Sequence, residues 1–439
     1  MLKNIETEKA LGWIQDCLAA MGSPDEGPIT ERMRIWWSQG VFVSLREPGA
    51  KAFRDLTTLI EKDGKINDRH RAKDLFSRKY IEDKVQELIG QVVVSASESG
   101  VEASQLGMRA IREVWKRWLS GWDTPSDVIT HYTLVQNLLL TQPLQIGTVG
   151  LRPWNDHARE ALLSGADLVP PSDMFAPERA EELREWVTRD FPTEPGYALA
   201  QASIAGAEPL RAQEIFRERV REVLHALSFF RRFVWPVSDR VVLDLRGNVP
   251  PSGEAVLTMT QDHRWGASYR RATLPFTLGA DRLETISAIG LSTLSQVLAK
   301  PEEQRTPLEA SCINAVTWLS RGLQDDVPDS RLLKLCIGME SLLLARGDEV
   351  KGTTIADRVA FLLAKTSEAR KAVAKEVLAI YAVRSDIAHE GRSSRLAGQL
   401  GPAQFYTTEA VLQFIRTMSQ KGWGCQEDFI RWCNDLKWA

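Results

Sequence analysis

The chain is 439 residues long, with a formal charge of -3, 44% apolar and 26% charged residues. That length is about two to four ordinary domains, so two or three are expected, and the composition excludes disordered, collagen-like and disulfide-stapled classes. Arginine outnumbers lysine 38 to 17; this suits a phosphate-bearing partner, and a biased genome composition would produce it equally well.

The opening stretch, MLKNIETEKALGWIQDCLAAMG, carries acids and a tryptophan where an export signal needs unbroken apolar residues, and no run reaches about 18 apolar residues. No export, no membrane partner and a cytoplasmic location are therefore expected. Five widely spaced cysteines, Cys17, Cys312, Cys336, Cys425 and Cys433, build neither a disulfide framework nor a zinc site, which fits a reducing compartment.

Apolar positions recur at three and four over residues 5–22, 28–46 and 69–120, which predicts a helical N-terminal region spanning 1–145. Ile35-Trp36-Trp37 and the trio Trp115, Trp118 and Trp122 read as core aromatics rather than a ligand cage. Residues 146–300 read as an α+β middle region. Gly196 to Ser203 is a strand candidate leading into a long amphipathic helix near 208–232. Arg240 to Leu245 and Ala255 to Thr260 resemble the two arms of a hairpin joined by Arg-Gly-Asn-Val-Pro-Pro-Ser-Gly. The prolines of Val169 to Ser172 and of Lys300 to Pro307 mark the expected joints.

Helical periodicity returns in five pieces near 307–322, 330–346, 353–365, 368–391 and 406–421, giving a helical bundle over 307–421 and a tail at 422–439. Thr306-Pro307 opens the first piece with a cap and a first-turn proline, and Gly347, Gly352 and Gly391 punctuate later ends. The fold class expected is mainly α with an α+β middle region.

No phosphate-binding glycine loop, dinucleotide turn, zinc-protease helix or esterase elbow occurs in the sequence. The six histidines, His70, His131, His157, His225, His263 and His389, are too scattered to suggest a metal pair, so no metal and no cofactor are expected. Asp262-His263 reads as turn or surface chemistry. Lys62 to Lys79 holds seven basic residues against three acids and reads first as a solvated helix face.

The informative segment is Glu376 to Gly391, in which four residues separate Arg384 from His389. The same spacing at Arg152 and His157 has a proline directly after the arginine and no apolar face, and is read as coincidence. Arg219 and His225 fall about 240° apart on their helix, hence on different faces. On a wheel Arg384 and His389 lie about 140° apart, with Tyr381 and Ser385 between them and Val373, Ile380, Val383 and Ile387 opposite. The expectation is one buried apolar face and one face carrying Tyr381, Arg384, Ser385 and His389 together.

This segment resembles the HEPN ribonuclease domains, most closely the Apea-like version, whose catalytic motif is an arginine, an adjacent polar residue and a histidine with four to six residues between it and the arginine. Arg384, Ser385 and His389 match that pattern. Ala315 to Leu319, Ile337 to Leu343 and Ala356 to Leu363 resemble the preceding helix signatures, so the likeness covers about 307–421 and leaves the first 300 residues unassigned. The resemblance implies a HEPN-type bundle that forms a homodimer, a metal-independent endoribonuclease acting on RNA, and a setting in prokaryotic anti-phage defence or a toxin response. In that setting the N-terminal region would sense a phage-derived trigger or an antitoxin.

The chemistry is self-consistent. RNA carries its own nucleophile, the 2′-hydroxyl, so a base for its proton and a cation on the phosphate suffice. A histidine titrating near pH ~6.5 and an always-charged arginine supply both. Ser385 would orient either group, Tyr381 would stack on a base or pack, and Glu340 or Asp386 would be the ion-pair partner. Residues 305–421 hold 16 basic and 13 acidic side chains, a weak bias toward a polyanion. Two other classes stay open: a non-catalytic dimerisation or partner-binding protein using the Arg384 to His389 face, and a nucleic-acid-binding regulator using Lys62 to Lys79.

Overall fold

The computed structural model describes residues 5–22, 33–37, 41–45, 47–64, 72–122, 128–164, 185, 188–189, 191, 193, 196–235, 242–245, 254–259, 265–270, 275–345 and 351–438. Over these the chain is mostly helical with a small sheet in the middle, the mainly α class expected. It forms two compact units, residues 1–131 with 203–217, and residues 132–202 with 218–439. This division differs from the expected boundaries at 145 and 300–307: the sheet region and the C-terminal helices belong to one unit. The Pro170-Pro171 joint lies outside the described residues.

The first unit contains α1 (Thr7–Ala19), three short strands β1 (Met21–Gly22), β2 (Met33–Trp37) and β3 (Val41–Leu45), then α2 (Glu47–Asp63), α3 (Ala72–Leu75), α4 (Arg78–Glu98) and α5 (Met108–Ser120). Ala10, Leu11, Ile14, Cys17 and Leu18 make the buried stripe of α1. Trp115, Trp118 and Trp122 are core residues, as the sequence suggested, and the Trp118 indole donates to the Lys84 carbonyl at 2.9 Å. The helix expected over 28–46 is instead β2 paired antiparallel to β3, with Met33 opposite Leu45 and Trp37 opposite Val41. Its aromatic and β-branched residues fit an apolar helix face and a pleated strand alike, and their strand propensity prevails.

The second unit carries a five-stranded sheet in the order β6-β7-β8-β4-β9, from β4 (Val128–Gln136), β6 (Leu144–Ile146), β7 (Val149–Pro153), β8 (Tyr197–Ala205) and β9 (Asp244–Leu245). The pair β5 (Leu138–Leu140) and β12 (Phe276–Leu278) is parallel. Helices α6 (Asp156–Ser164) and α7 (Pro209–Arg231) lie in this part of the sequence, α7 matching the expected long helix. Among the described residues the expected hairpin is absent: β9 pairs with β4, while β10 (Glu254–Met259) pairs with β11 (Trp265–Arg270).

After α8 (Ala280–Ile286), a π-helical turn and α9 (Ser292–Ala299) come six helices: α10 (Pro307–Gln324), α11 (Pro328–Leu343), α12 (Lys351–Leu363), α13 (Ser367–Glu390), α14 (Leu396–Lys421) and α15 (Gln426–Trp438). Helix α10 packs on α11, α12 on α13, and α14 against α10, α11, α12 and α13. A capping box opens α10: Thr306 accepts from the Glu309 N–H at 3.2 Å and Glu309 from the Thr306 N–H at 2.9 Å. The Lys300 to Pro307 joint is pinned, because Arg305 makes two bonds to Glu222 on α7 at 2.7 and 2.8 Å and Lys300 pairs with Glu309 at 2.6 Å. Gly338 lets α11 lie close on α10; an added Cβ would fall 2.0 Å from the Leu319 side chain. The expected tail holds α15. Asp428 caps its start at the Gly424 and Cys425 N–H groups, and Phe414, Trp423, Phe429 and Trp432 cluster against it.

Between α7 and α10 runs a polar chain. His225 Nδ1 lies 3.1 Å from Ser320 Oγ, and the Gln324 amide donates to Ser228 Oγ at 2.7 Å and Ser320 Oγ at 3.2 Å. Burial first, and the nearby Arg321 and Arg221 cations, push His225 down to about 4 despite the opposing pull of Asp244. The unfolded chain binds this proton near pH ~6.5, so the stability His225 contributes is complete above that pH and is lost as pH falls toward 4. Urea unfolding should therefore show stability dropping by about 1–3 kcal/mol over that interval, beyond the drop of His225→Gln; parallel curves for the two proteins would refute it.

Candidate functional site

Helix α13 starts with Thr366, whose hydroxyl accepts from the Ala369 N–H, and ends at Gly391, whose φ of 75° is the left-handed conformation that favours glycine. Its buried side chains are Val377, Ile380, Tyr381, Val383 and Ile387. On a wheel these five flank Arg384 on both sides, so Arg384 sits inside the apolar arc rather than on an open polar face. Ser385 and His389 are exposed. The expected face of Tyr381, Arg384, Ser385 and His389 is therefore split: the first and second turn inward, the third and fourth outward. Val373 is only half-buried, and Val377 holds the place expected for it.

An arginine in an apolar arc needs a counter-charge, and α11 supplies it. Arg384 Nη2 lies 3.2 Å from Glu340 Oε1, with side-chain exposures of 31% and 18%. Arg384 Nε is buried with no hydrogen-bond partner among the described residues. Of the two partners expected, Glu340 is the one; Asp386 instead accepts from Ser393 Oγ at 2.9 Å and Arg395 Nη2 at 2.7 Å.

Tyr381 is 9% exposed, its hydroxyl 3.5 Å from the Cys336 carbonyl, and Gly352 of α12 lies over its ring. Burial, then Cys336 and Glu340, push its phenol well above the ordinary value. It is a neutral packed phenol and, in the single chain, no base-stacking platform. Burial likewise pushes the Cys336 thiol up to about 12, which removes it as a nucleophile. His389, by contrast, has no hydrogen bond or ion pair among the described residues. The rise of ~1.5 Å per residue separates the Arg384 and His389 backbones by about 7.5 Å along the axis.

The other candidates are dispersed. Arg152 lies in β7 and His157 in the first turn of α6, so the second Arg-x4-His spacing spans two elements. In the Lys62 to Lys79 stretch, Arg78 pairs with Glu61 and Glu82 and Lys79 with Asp83, as a solvated face would; residues 65–71, His70 among them, and Asp262-His263 lie outside the described residues. Among the described residues no three His, Cys, Asp or Glu side chains converge, and no helix is long and apolar enough to cross a membrane. The sequence reading passed over the turn after α13, where Ser393 and Arg395 meet Asp386; its signal was a cap glycine followed within four residues by two arginines.

No protein family, curated protein or solved structure matches this chain.

Glu340→Gln would leave the half-buried Arg384 charge without its partner. We expect a loss of about 1–2 kcal/mol in denaturant unfolding, less than for a fully buried pair, and a coupling of similar sign in a double-mutant cycle with Arg384→Gln. Additive losses would show that the pair contributes nothing.

Proposed function

We propose that this chain is a metal-independent endoribonuclease of HEPN type, cutting RNA with Arg384 and His389 of a C-terminal HEPN bundle, residues 307–421. The observation that carries the reading is that α13 offers an exposed histidine one and a half turns beyond an arginine that a carboxylate holds in place. His389 takes the proton of the 2′-hydroxyl as its oxygen bonds to phosphorus. The bond from phosphorus to the 5′-oxygen breaks, and a proton delivered to that oxygen leaves a 2′,3′-cyclic phosphate and a 5′-hydroxyl. Arg384 holds the negative charge that builds on the phosphate oxygens. Glu340 fixes the guanidinium, and Ser385, exposed next to it, is placed to orient the phosphate. Because Arg384 turns inward and His389 outward, a homodimer in which two α13 helices face each other would let one chain's arginine serve the other's histidine. The working setting is cytoplasmic anti-phage defence or a toxin response, with the first 300 residues sensing a trigger or an antitoxin.

A second reading rests on the same ion pair. If Glu340 and the apolar arc only secure Arg384 as a structural group, the bundle is a dimerisation or partner-binding module without catalysis. The two readings divide on one experiment. With EDTA present, His389→Ala should reduce RNA cleavage at least ~100-fold, with an unchanged unfolding midpoint because its side chain is exposed. Arg384→Lys should lose comparable activity while keeping a cation for Glu340. Cleavage undiminished in both variants overturns the assignment, and an inert wild-type protein that still dimerises favours the module.

A further inference from the structure

The chain does not simply leave α13 after His389. The Gly391 N–H closes the helix on the Ile387 carbonyl at 3.0 Å, and the next residues fold back. Ser393 Oγ and Arg395 Nη2 both donate to the same oxygen of Asp386, at 2.9 and 2.7 Å. Asp386 lies three residues before His389, about 60° from it around the helix. Residues 391–395 thus form a strap tied to the helical turn that presents His389. Arg395 first and Ser393 second hold the Asp386 carboxyl below its usual range, so the tie is in its ionised form at neutral pH.

This strap puts two guanidinium groups at the surface. Arg395 gives one nitrogen to Asp386 and keeps 56% of its side chain exposed; a guanidinium has five N–H donors, so most remain available. Arg392 is exposed and has no ion pair or hydrogen bond among the described residues. Several arginines in these helices are used internally: Arg305 on Glu222, Arg331 on the Asp325 carbonyl, Arg370 on the Ala364 and Leu436 carbonyls, Arg416 on the Ile289 carbonyl. Arg321 and Arg431 are exposed as well, but the two strap arginines lie within six residues of the exposed imidazole of His389. Glu390, the other acid of this turn, lies about 100° from His389, farther round than Asp386.

We propose that the strap is a phosphate-binding subsite, in which Arg392 and Arg395 hold the ribonucleotide backbone phosphate adjoining the one that is cut. Asp386 is the positioning residue: it turns Arg395 toward that phosphate at the cost of part of its charge. The proposal rests on the ribonuclease reading for the identity of the strand, and its binding measurement is independent of cleavage.

The test uses the full chain and a fluorescent single-stranded RNA with 2′-O-methyl groups throughout, which cannot be cut. Anisotropy titrations at several salt concentrations should show Arg392→Gln and Arg395→Gln each weakening binding several-fold. Each should also flatten the slope of log affinity against log salt by about 0.7, the value for one phosphate contact on a single strand. On cleavable RNA both should raise KM several-fold and lower kcat by no more than about twofold. Since Arg392 is exposed and has no hydrogen bond or ion pair among the described residues, its variant should keep the wild-type unfolding midpoint, which keeps the binding result separate from stability. Wild-type protein that binds the methylated strand, with these losses, but cuts no RNA would sustain the subsite and defeat the nuclease reading. Unchanged salt slopes in both variants, no binding by the wild type, or a loss confined to kcat would overturn the subsite.

Discussion

The rotation of the helix Ser367–Glu390 about its own axis is the constraint that fixes everything at the candidate site. Val377, Ile380, Val383 and Ile387, with Tyr381 at the edge, are buried against the neighbouring helices. Each such side chain contributes about 1.5–3 kcal/mol when buried, so turning the helix by even one position would expose several of them. Once that stripe is seated, Arg384 must enter the apolar arc and His389 must leave it. The Glu340 to Arg384 pair is then a consequence: a guanidinium placed there without a carboxylate would be an uncompensated charge.

The same logic explains where the arginine excess goes. Read as composition it pointed toward a phosphate-bearing partner. In the C-terminal helices three arginines end helices instead. Arg331 donates to the carbonyl of Asp325, which caps Pro307–Gln324; Arg358 to Leu343, the last residue of Pro328–Leu343; Arg370 to Ala364, just past Lys351–Leu363. These are the carbonyls a helix end leaves unpaired, and a cation there also meets the negative end of the helix dipole. A planar fork with five donors suits the task better than lysine. Composition therefore overstates how much of the positive charge a polyanion would meet; Arg392 and Arg395 after Glu390 are among the arginines that still face solvent.

What was legible in the sequence was whatever depends on near neighbours in the chain. The cap at Thr306, the stop at Gly391 and the long helix near 208–232 follow from local chemistry and three-to-four periodicity. Pairing partners were less legible. Arg-Ile-Trp-Trp and Val-Phe-Val satisfy a strand and an apolar helix face equally, and the two arms near 244 and 255 each find a strand other than one another. Tyr381 was misplaced because a wheel drawn from one helix cannot know that Gly352 of another leaves room over its ring. The residues 422–439 lacked a periodic signal strong enough to outweigh Gly422 and Gly424, yet four aromatic rings settle them as a helix end packed on its predecessor. Glu340 was foreseen as a partner because only Glu and Asp can neutralise a guanidinium; which one was a matter of tertiary geometry.

On the proposed ribonuclease reading, fixing Arg384 with Glu340 would have opposing effects on catalysis. The carboxylate cancels part of the charge that would stabilise a phosphate in its transition state, which weakens the arginine as a pure cation. It also takes one edge of the fork and so commits the remaining donors to a fixed direction, which lowers the entropy lost when a phosphate arrives. Catalysis profits from the second effect only if the phosphate is brought to that edge while an imidazole stands on its other side. Within one chain the two groups diverge by about 140° and about 7.5 Å along the axis, which a flexible arginine bridges poorly once it is tied to Glu340. On the proposed ribonuclease reading, two copies of the helix lying against each other would relieve this, because the outward imidazole of one could then approach the fixed guanidinium of the other. Pairing of chains and rigidity of the arginine would then not be separate features of the reading, since the rigidity would be what calls for the pairing.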